Sequence, residues 1–175
     1  MIVFVNGPFG VGKTSVARLL VQKIPDAMLY DPEVIGAVLK RVLGPFNKVD
    51  DFQDYALWRT LVVGGALVLR KVSAQTLIIP MTVWRRDYFD RIIAGIHRVD
   101  RDLACFRLTA SRAALLDRIS SDTEDREARA WRTSHVEVRT KALRDPAFGT
   151  EIRTDGRTPE AVADRILECL ATPAG

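Results

Sequence analysis

The chain has 175 residues, of which 47% are hydrophobic and 27% are charged, and its formal net charge is +4. This length suits one domain with its own core, and the composition is that of an ordinary globular enzyme rather than of a disordered or membrane-embedded chain. The positive charge suits anionic ligands, but no run of like charge is long enough to predict nucleic-acid binding.

Residues 1–14 carry the most specific motif of the chain. An apolar strand predicted over residues 2–5 runs into Gly7-x-x-x-x-Gly12-Lys13-Thr14, and a helical pattern over residues 13–24 follows at once. In a phosphate-binding loop (P-loop) of this kind, glycines let backbone N–H groups surround phosphate oxygens, while Lys13 reaches the β- and γ-phosphates and the Thr14 hydroxyl binds Mg²⁺. We therefore predict ATP and Mg²⁺ as cofactors, with the nucleotide held by Gly7, Pro8, Phe9, Gly10, Val11, Gly12, Lys13, Thr14 and Ser15.

Short strands alternate with helices along the rest of the chain. Strand patterns cover residues 2–5, 27–30, 76–80, 103–109 and 150–154, and helical patterns cover residues 13–24, 32–43, 52–72, 86–98, 111–120, 126–143 and 159–170. Such alternation is typical of parallel βαβ units. We predict a single three-layer α/β/α domain over residues 1–172, built on a five-stranded parallel sheet.

Ligands of open parallel sheets bind beyond the carboxyl ends of the strands, so the residues that follow each strand are candidates. Asp31 follows the second strand and is a candidate to activate an acceptor hydroxyl or to hold a Mg²⁺-bound water. The alternative is that it only caps the helix that starts at Pro32, although its two oxygens allow both roles. Met81 and Thr82 follow the third strand, which lacks a Walker B carboxylate, so Thr14 is the one side chain that we assign to the metal.

Five arginines follow Ser111, namely Arg112, Arg118, Arg126, Arg129 and Arg132. Because phosphoryl transfer depends mainly on stabilising charge around the γ-phosphate, we predict catalytic roles for Lys13, Asp31, Arg118 and Arg126. The polar residues near 120–130 would then form a mobile lid over the nucleotide. The alternative is an exposed helix face carrying Glu–Arg pairs at i,i+4 spacing.

Residues 50–59 combine acidic and aromatic side chains directly before a very apolar helix. Phe52, Tyr55 and Arg59 would share one helix face. With Trp58 they would form an acceptor pocket, and we predict an acceptor-binding helical region near residues 31–72. Met81 and Thr82, which follow the third strand, are predicted to contact the acceptor as well. The alternative is a negatively charged first turn that stabilises a core helix.

Four blocks together resemble the tunicamycin-resistance protein family: the P-loop with Asn6-Gly7-Pro8-Phe9-Gly10, then Tyr30-Asp31-Pro32-Glu33, then residues 51–59, and finally Ile79-Pro80-Met81-Thr82-Val83. The resemblance implies a nucleoside monophosphate kinase-like P-loop NTPase fold, related to the shikimate and gluconate kinases. It also implies ATP-dependent resistance to tunicamycin, a fatty-acylated nucleoside sugar. By the same resemblance, Arg118 and Arg126 are lid arginines, and residues 153–157 with Asp155 lie against adenine.

Three functions are consistent with these observations. The leading one is a kinase that transfers the γ-phosphate of ATP to a hydroxyl of tunicamycin or a related nucleoside or sugar, with the helix over residues 52–69 and its Gly64-Gly65 pair lining an apolar groove for the drug. The others are a nucleotide-gated protein that sequesters the drug unchanged, and a metabolic kinase of shikimate or nucleoside monophosphate type.

The expected partners are a nucleotide and a small molecule, and a homodimer is left open. No segment is long and apolar enough to span a bilayer, since the most apolar one covers only residues 61–69. The chain shows no signal peptide, and Cys105 and Cys169 suit a reducing compartment. We expect a cytoplasmic protein.

Overall fold

The computed structural model describes residues 1–122 and 129–172. Its five strands are β1 (Ile2–Asn6), β2 (Ala27–Leu29), β3 (Thr76–Met81), β4 (Leu103–Thr109) and β5 (Thr150–Arg153). Its seven α-helices are α1 (Lys13–Lys23), α2 (Pro32–Leu43), α3 (Ala56–Val72), α4 (Arg86–Val99), α5 (Arg112–Ser121), α6 (Arg129–Ala142) and α7 (Pro159–Ala171). Two short 3₁₀ helices, Phe52–Asp54 and Pro146–Phe148, precede α3 and β5.

The strands form one parallel sheet in the order β2-β3-β1-β4-β5. The central strand β1 is fully buried, and its side chains alternate between two cores. Phe4 contributes to a core shared with α3 and α4, whereas Val5 contributes to one shared with α1 and α7. A strand covered on both faces must be apolar throughout, which explains the continuous Ile-Val-Phe-Val run. The predicted three-layer α/β/α architecture is confirmed.

The predicted helix over residues 52–72 is divided in two. Asp51 caps the 3₁₀ helix Phe52–Asp54 by accepting a hydrogen bond from the Gln53 amide at 3.0 Å. Tyr55 is then extended, with φ −70° and ψ 117°, before α3 begins at Ala56. The expectation that Phe52 and Tyr55 share a helix face with Arg59 is therefore wrong. Among the helices of the described residues, none has the length and apolar character needed to cross a membrane.

Candidate functional site

The loop between β1 and α1 has the backbone shape of a phosphate-binding loop. Gly10 and Gly12 have φ values of 75° and 96°, which L side chains rarely adopt. Close packing also excludes a side chain at Gly10, because its Cβ would lie 2.9 Å from the Leu115 carbonyl oxygen. No side chain caps α1, so the N–H groups of its first turn are left for an anion. Gly7 and Pro8 are buried at the start of the loop.

Lys13 is 9% exposed, and its ammonium donates a hydrogen bond to the Pro8 carbonyl at 3.1 Å. Burial lowers the pKa of Lys13, while the nearby carboxylates of Glu33 and Asp31 partly oppose that effect. A buried cation held by a neutral oxygen gains strongly from an anionic partner. A triphosphate would supply such a partner.

Asn6 holds the start of the loop against the segment that follows β3. Its side chain is fully buried, and its Oδ1 accepts hydrogen bonds from the amides of Gly7 and Val83, both at 2.9 Å. Its Nδ2 donates to the Val83 carbonyl at 2.9 Å. The sequence indicates such a role for Asn6, because it is the one polar residue at the end of an otherwise apolar strand.

A cavity of about 610 Å³ opens at the carboxyl edge of the sheet. Seven of the predicted nucleotide-binding residues line it: Phe9, Gly10, Val11, Gly12, Lys13, Thr14 and Ser15. The cavity walls also include Asp31, Glu33, Arg118, Arg132, Thr154 and Arg157. Asp31 follows one edge strand, β2, and Thr154 follows the other, β5. Four strand spacings separate these edges, roughly 19 Å at about 4.8 Å each, so the cavity has two distant ends.

Two carboxylates lie at the β2 end. Asp31 caps α2 by accepting a hydrogen bond from the Glu33 amide at 2.9 Å, so capping and cavity lining occur together. Burial, and secondarily the charge of Glu33, raise the pKa of Asp31. A raised pKa makes a carboxylate a better proton acceptor.

Glu33, like Asp31, lies just beyond the second strand, but the sequence predicted no role for it. Its Oε1 accepts a hydrogen bond from the Thr82 amide at 2.6 Å. This contact brings a carboxylate to the end of β3, where the sequence provides no acid of its own.

The donors around the cavity fit Mg²⁺. Thr14 is exposed to the cavity, and the carboxylates of Asp31 and Glu33 line the same space. The described residues contain no group of three His, Cys, Asp or Glu side chains that could hold a metal ion. Mg²⁺ in nucleotide sites commonly uses one or two protein oxygens together with phosphates and water, so this sparse set is adequate.

Arg118 is held at the opposite end of the cavity. Its Nη1 donates to the Thr154 hydroxyl and its Nη2 to the Thr154 carbonyl, both at 3.0 Å. Thr154 follows β5, so the structure does not bring the Arg118 guanidinium to the carboxylates at the β2 end. For a nucleotide whose triphosphate lay along the P-loop, Arg118 would be closer to the nucleoside than to the terminal phosphate, so its predicted catalytic role stays a prediction.

The predicted lid falls mainly on residues 123–128, which lie outside the described residues and include Arg126. The residues on either side of this segment are joined at the cavity. Arg129 donates to the Asp122 carbonyl at 2.5 Å, and Arg132 forms an ion pair with the Asp122 carboxylate at 3.0 Å. Asp122 and Arg132 both line the cavity.

A buried ion pair that sequence analysis missed lies behind the P-loop. Arg139 of α6 is 1% exposed and donates to the Asp51 carboxylate at 2.7 Å. Its guanidinium lies over the rings of Phe9 and Trp131, with its Cζ 4.4 and 4.7 Å from their centroids. Burial lowers the pKa of Arg139, and Asp51 opposes that effect. The pair holds the segment that contains Asp51 against α6. The sequence of α6 is mostly polar, so nothing in it distinguished Arg139 from its neighbours.

The aromatic residues predicted to contact an acceptor pack within the chain. Trp58 is fully buried, donates to the Pro32 carbonyl at 2.9 Å, and packs against Phe52 with ring centroids 5.0 Å apart. The Tyr55 hydroxyl donates to the Asn47 carbonyl at 2.6 Å. None of these three predicted residues lines the main cavity, so their contact with an acceptor stays a prediction.

The remaining predicted residues are also displaced from the main cavity. Arg59 stacks over the Tyr88 ring at 4.0 Å, Met81 is in the core, and Thr82 is buried and contributes its amide to the Glu33 contact. Asp155 accepts a hydrogen bond from the Ser111 amide at 2.8 Å, which is the main reason that its pKa is lowered. With Pro8, it lines a separate cavity of about 230 Å³ rather than the main cavity.

No family model and no curated protein matches the chain. Among solved structures, the chain is similar to the tunicamycin resistance protein of Deinococcus radiodurans, with a TM-score of 0.78 and 25% identity over 97% of this chain and 95% of the other. It is also similar to a gluconokinase from Sinorhizobium meliloti 1021, with a TM-score of 0.68 and 17% identity over 97% and 90% of the two chains. A shikimate kinase from Bacteroides thetaiotaomicron gives a TM-score of 0.65 and 15% identity over 98% and 99%. The predicted resemblance and the kinase-like P-loop fold are confirmed.

Proposed function

We propose that this chain is an ATP- and Mg²⁺-dependent phosphotransferase whose acceptor is a hydroxyl of a small nucleoside- or sugar-like molecule, with tunicamycin as the first candidate. The observation that carries the proposal is the two-ended cavity. A phosphate-binding loop and a buried, weakly compensated ammonium lie beside two carboxylates at the β2 end. The likeness to the D. radiodurans protein supports tunicamycin as the candidate.

The triphosphate would lie along the P-loop, with the base toward Arg118 and Thr154 and the γ-phosphate toward Asp31. Lys13 and the first amides of α1 would stabilise the charge on the transferred group. Mg²⁺, held by the Thr14 hydroxyl with Asp31 or Glu33 near its water ligands, would neutralise phosphate charge.

Asp31 would take the proton from the acceptor hydroxyl as its oxygen bonds to the γ-phosphorus and the bond to the bridging oxygen of ADP breaks. The raised pKa of Asp31 suits this role. Glu33, held by the Thr82 amide, would fix the position of Asp31 at the start of α2. A reaction that consumes ATP, together with two free thiols, suits the cytoplasm.

Product analysis tests the proposal. The purified chain is incubated with γ-labelled ATP, Mg²⁺ and a panel of tunicamycin, nucleosides and sugar acids, and products are identified by mass spectrometry. We expect label transfer and a mass gain of one phosphate on one acceptor, absent in Asp31→Asn. ATP-dependent retention of unmodified tunicamycin would instead identify a sequestering protein. Efficient phosphorylation of shikimate or a nucleoside monophosphate would identify a metabolic kinase.

A further inference from the structure

Exposed apolar side chains are concentrated in one part of the molecule. In the described part of the chain, ten large hydrophobic residues are exposed, and nine of them lie within residues 29–72. Single exposed hydrophobic residues are normal on a protein surface, but a concentration of them marks a contact site. None of these nine residues lines the cavity at the P-loop.

The outward face of α3 supplies the most regular portion of this surface. Leu57, Leu61, Gly64, Val68 and Val72 recur at spacings of four, three, four and four residues, which places them on one side of the helix. Leu57, Val68 and Val72 are 48%, 58% and 75% exposed. The opposite side of α3 is buried in the core, so this stripe is not needed for packing within the chain.

The stripe is symmetric about the middle of the helix. Reversing the direction of α3 about the point between Gly64 and Gly65 places Leu57 opposite Val72 and Leu61 opposite Val68. A Cβ added to Gly64 would meet nothing within 4 Å, so the middle of the stripe is open for close approach of a second helix. A surface that matches its own reverse is what a two-fold symmetric contact requires.

The charges at the two ends of α3 favour the same arrangement. Asp50 is exposed shortly before the helix, and Lys71 is exposed in its last turn. From Tyr55 to the end of the helix there is no acidic residue. An antiparallel pairing brings Asp50, on the segment before one helix, toward Lys71 at the end of the other, whereas a parallel pairing would place like charges together.

We propose that the outward face of α3 is a contact between two copies of this chain, packed antiparallel across a two-fold axis that passes near Gly64. The 17 residues of α3 span about 25 Å at about 1.5 Å per residue. One helix face of that length provides less than the roughly 800 Å² per partner of a standard interface, so we expect a reversible dimer rather than an obligate one. This contact does not depend on the proposed phosphotransferase activity.

Sedimentation equilibrium over protein concentrations from about 1 to about 200 µM tests the proposal. The wild-type chain should show a monomer–dimer equilibrium, and Val68→Glu should weaken it by at least about tenfold because it buries a charge in the contact. Val138→Glu is the matched control, since Val138 is 55% exposed on α6 and should leave the equilibrium unchanged. A monomer at all concentrations, or a dimer indifferent to Val68→Glu, would overturn the proposal.

Cysteine cross-linking tests the position of the axis. Under mild oxidation Gly64→Cys should give a disulfide-linked dimer, whereas Val138→Cys should behave like the wild type. Failure of Gly64→Cys to cross-link would refute the antiparallel arrangement. Co-sedimentation with phosphatidylcholine–phosphatidylglycerol vesicles that is lost in Val68→Glu, without any dimer in solution, would assign the face to an anionic lipid surface instead.

Discussion

Two neighbouring glycines in α3 should respond in opposite ways to the same substitution. A Cβ on Gly65 would lie 2.2 Å from the Tyr30 hydroxyl oxygen and 2.7 Å from its Cζ. That hydroxyl donates to the carbonyls of Leu61 and Val62, each at 3.1 Å. A Cβ on Gly64 would meet nothing within 4 Å. The approach of the Tyr30 ring, rather than a ligand groove, therefore explains the glycine at position 65.

The magnitudes follow from these contacts. Displacing Tyr30 costs about 1–3 kcal/mol for overpacking and about 0.5–1.5 kcal/mol for its hydrogen bond. Alanine recovers about 0.5–1 kcal/mol of helix propensity at either position. Gly65→Ala should thus lower the free energy of unfolding by about 1–3 kcal/mol, and Gly64→Ala should raise it by about 0.5–1 kcal/mol. At about 2–4 °C per kcal/mol for a chain of this size, the Tm values should differ by several degrees.

Urea denaturation of both variants, measured at sub-micromolar protein so that self-association contributes least, checks this prediction. The two substitutions change the same helix by the same methyl group, so each controls for the other. Equal shifts in the two variants, or a Gly65→Ala variant as stable as the wild type, would show that Tyr30 does not pack against α3 as described.

Three further predictions concern the site. Lys13→Met should weaken ATP binding about 100-fold or more, because two charge-assisted hydrogen bonds are worth about 1.5–3 kcal/mol each, and calorimetry can measure this loss. Burial lowers the pKa of Lys13, so thermal melts without ligand near pH 7 should show the variant to be no less stable than the wild type. Asp31→Asn should abolish transfer but keep ATP binding and the cap. Burial raises the pKa of Asp31 in the folded protein. Its ionisation therefore destabilises the fold as the pH rises from the ordinary Asp pKa through the folded value. The Asn variant should be more stable than the wild type at pH 7 and should lose that advantage below about pH 4. Asp51→Ala should lower the free energy of unfolding by about 3–5 kcal/mol, because it leaves the Arg139 guanidinium buried without its partner. The double variant with Arg139→Met should regain much of that stability in a double-mutant cycle. Additive effects of the two substitutions would mean that the pair is not coupled.

Local pattern was sufficient to predict the fold. Each predicted strand lies within about one residue of its observed bounds, because short runs of strand-forming residues between helical patterns mark the strands of a parallel sheet. The P-loop was equally predictable, since its glycine spacing is specific for one backbone conformation. The division of the predicted helix over residues 52–72 was not predicted. Asp51 caps a separate 3₁₀ turn before α3, and apolar periodicity does not show where one helix ends and the next begins.

The acceptor end of the site was the least predictable part. Aromatic and charged residues cluster at 52–59 and predict ligand binding there, and that contact stays a prediction. The partners that the structure gives these rings, the Pro32 carbonyl of α2 for Trp58 and the Trp58 ring for Phe52, are not visible in a sequence pattern. Glu33 and Arg139 present the opposite case, because the sequence predicted no role for either residue. Their roles depend on Thr82 and Asp51, which lie 49 and 88 residues away along the chain, and long-range partners leave no periodic signal.

A structure of the chain with Mg²⁺ and a non-hydrolysable ATP analogue tests the central claim most directly. The β- and γ-phosphates should contact the Lys13 ammonium and the amides at the start of α1, the terminal phosphate should face Asp31 and Glu33, and the base should lie toward Arg118 and Thr154. A nucleotide bound elsewhere, or with its terminal phosphate at the Thr154 end, would contradict the account.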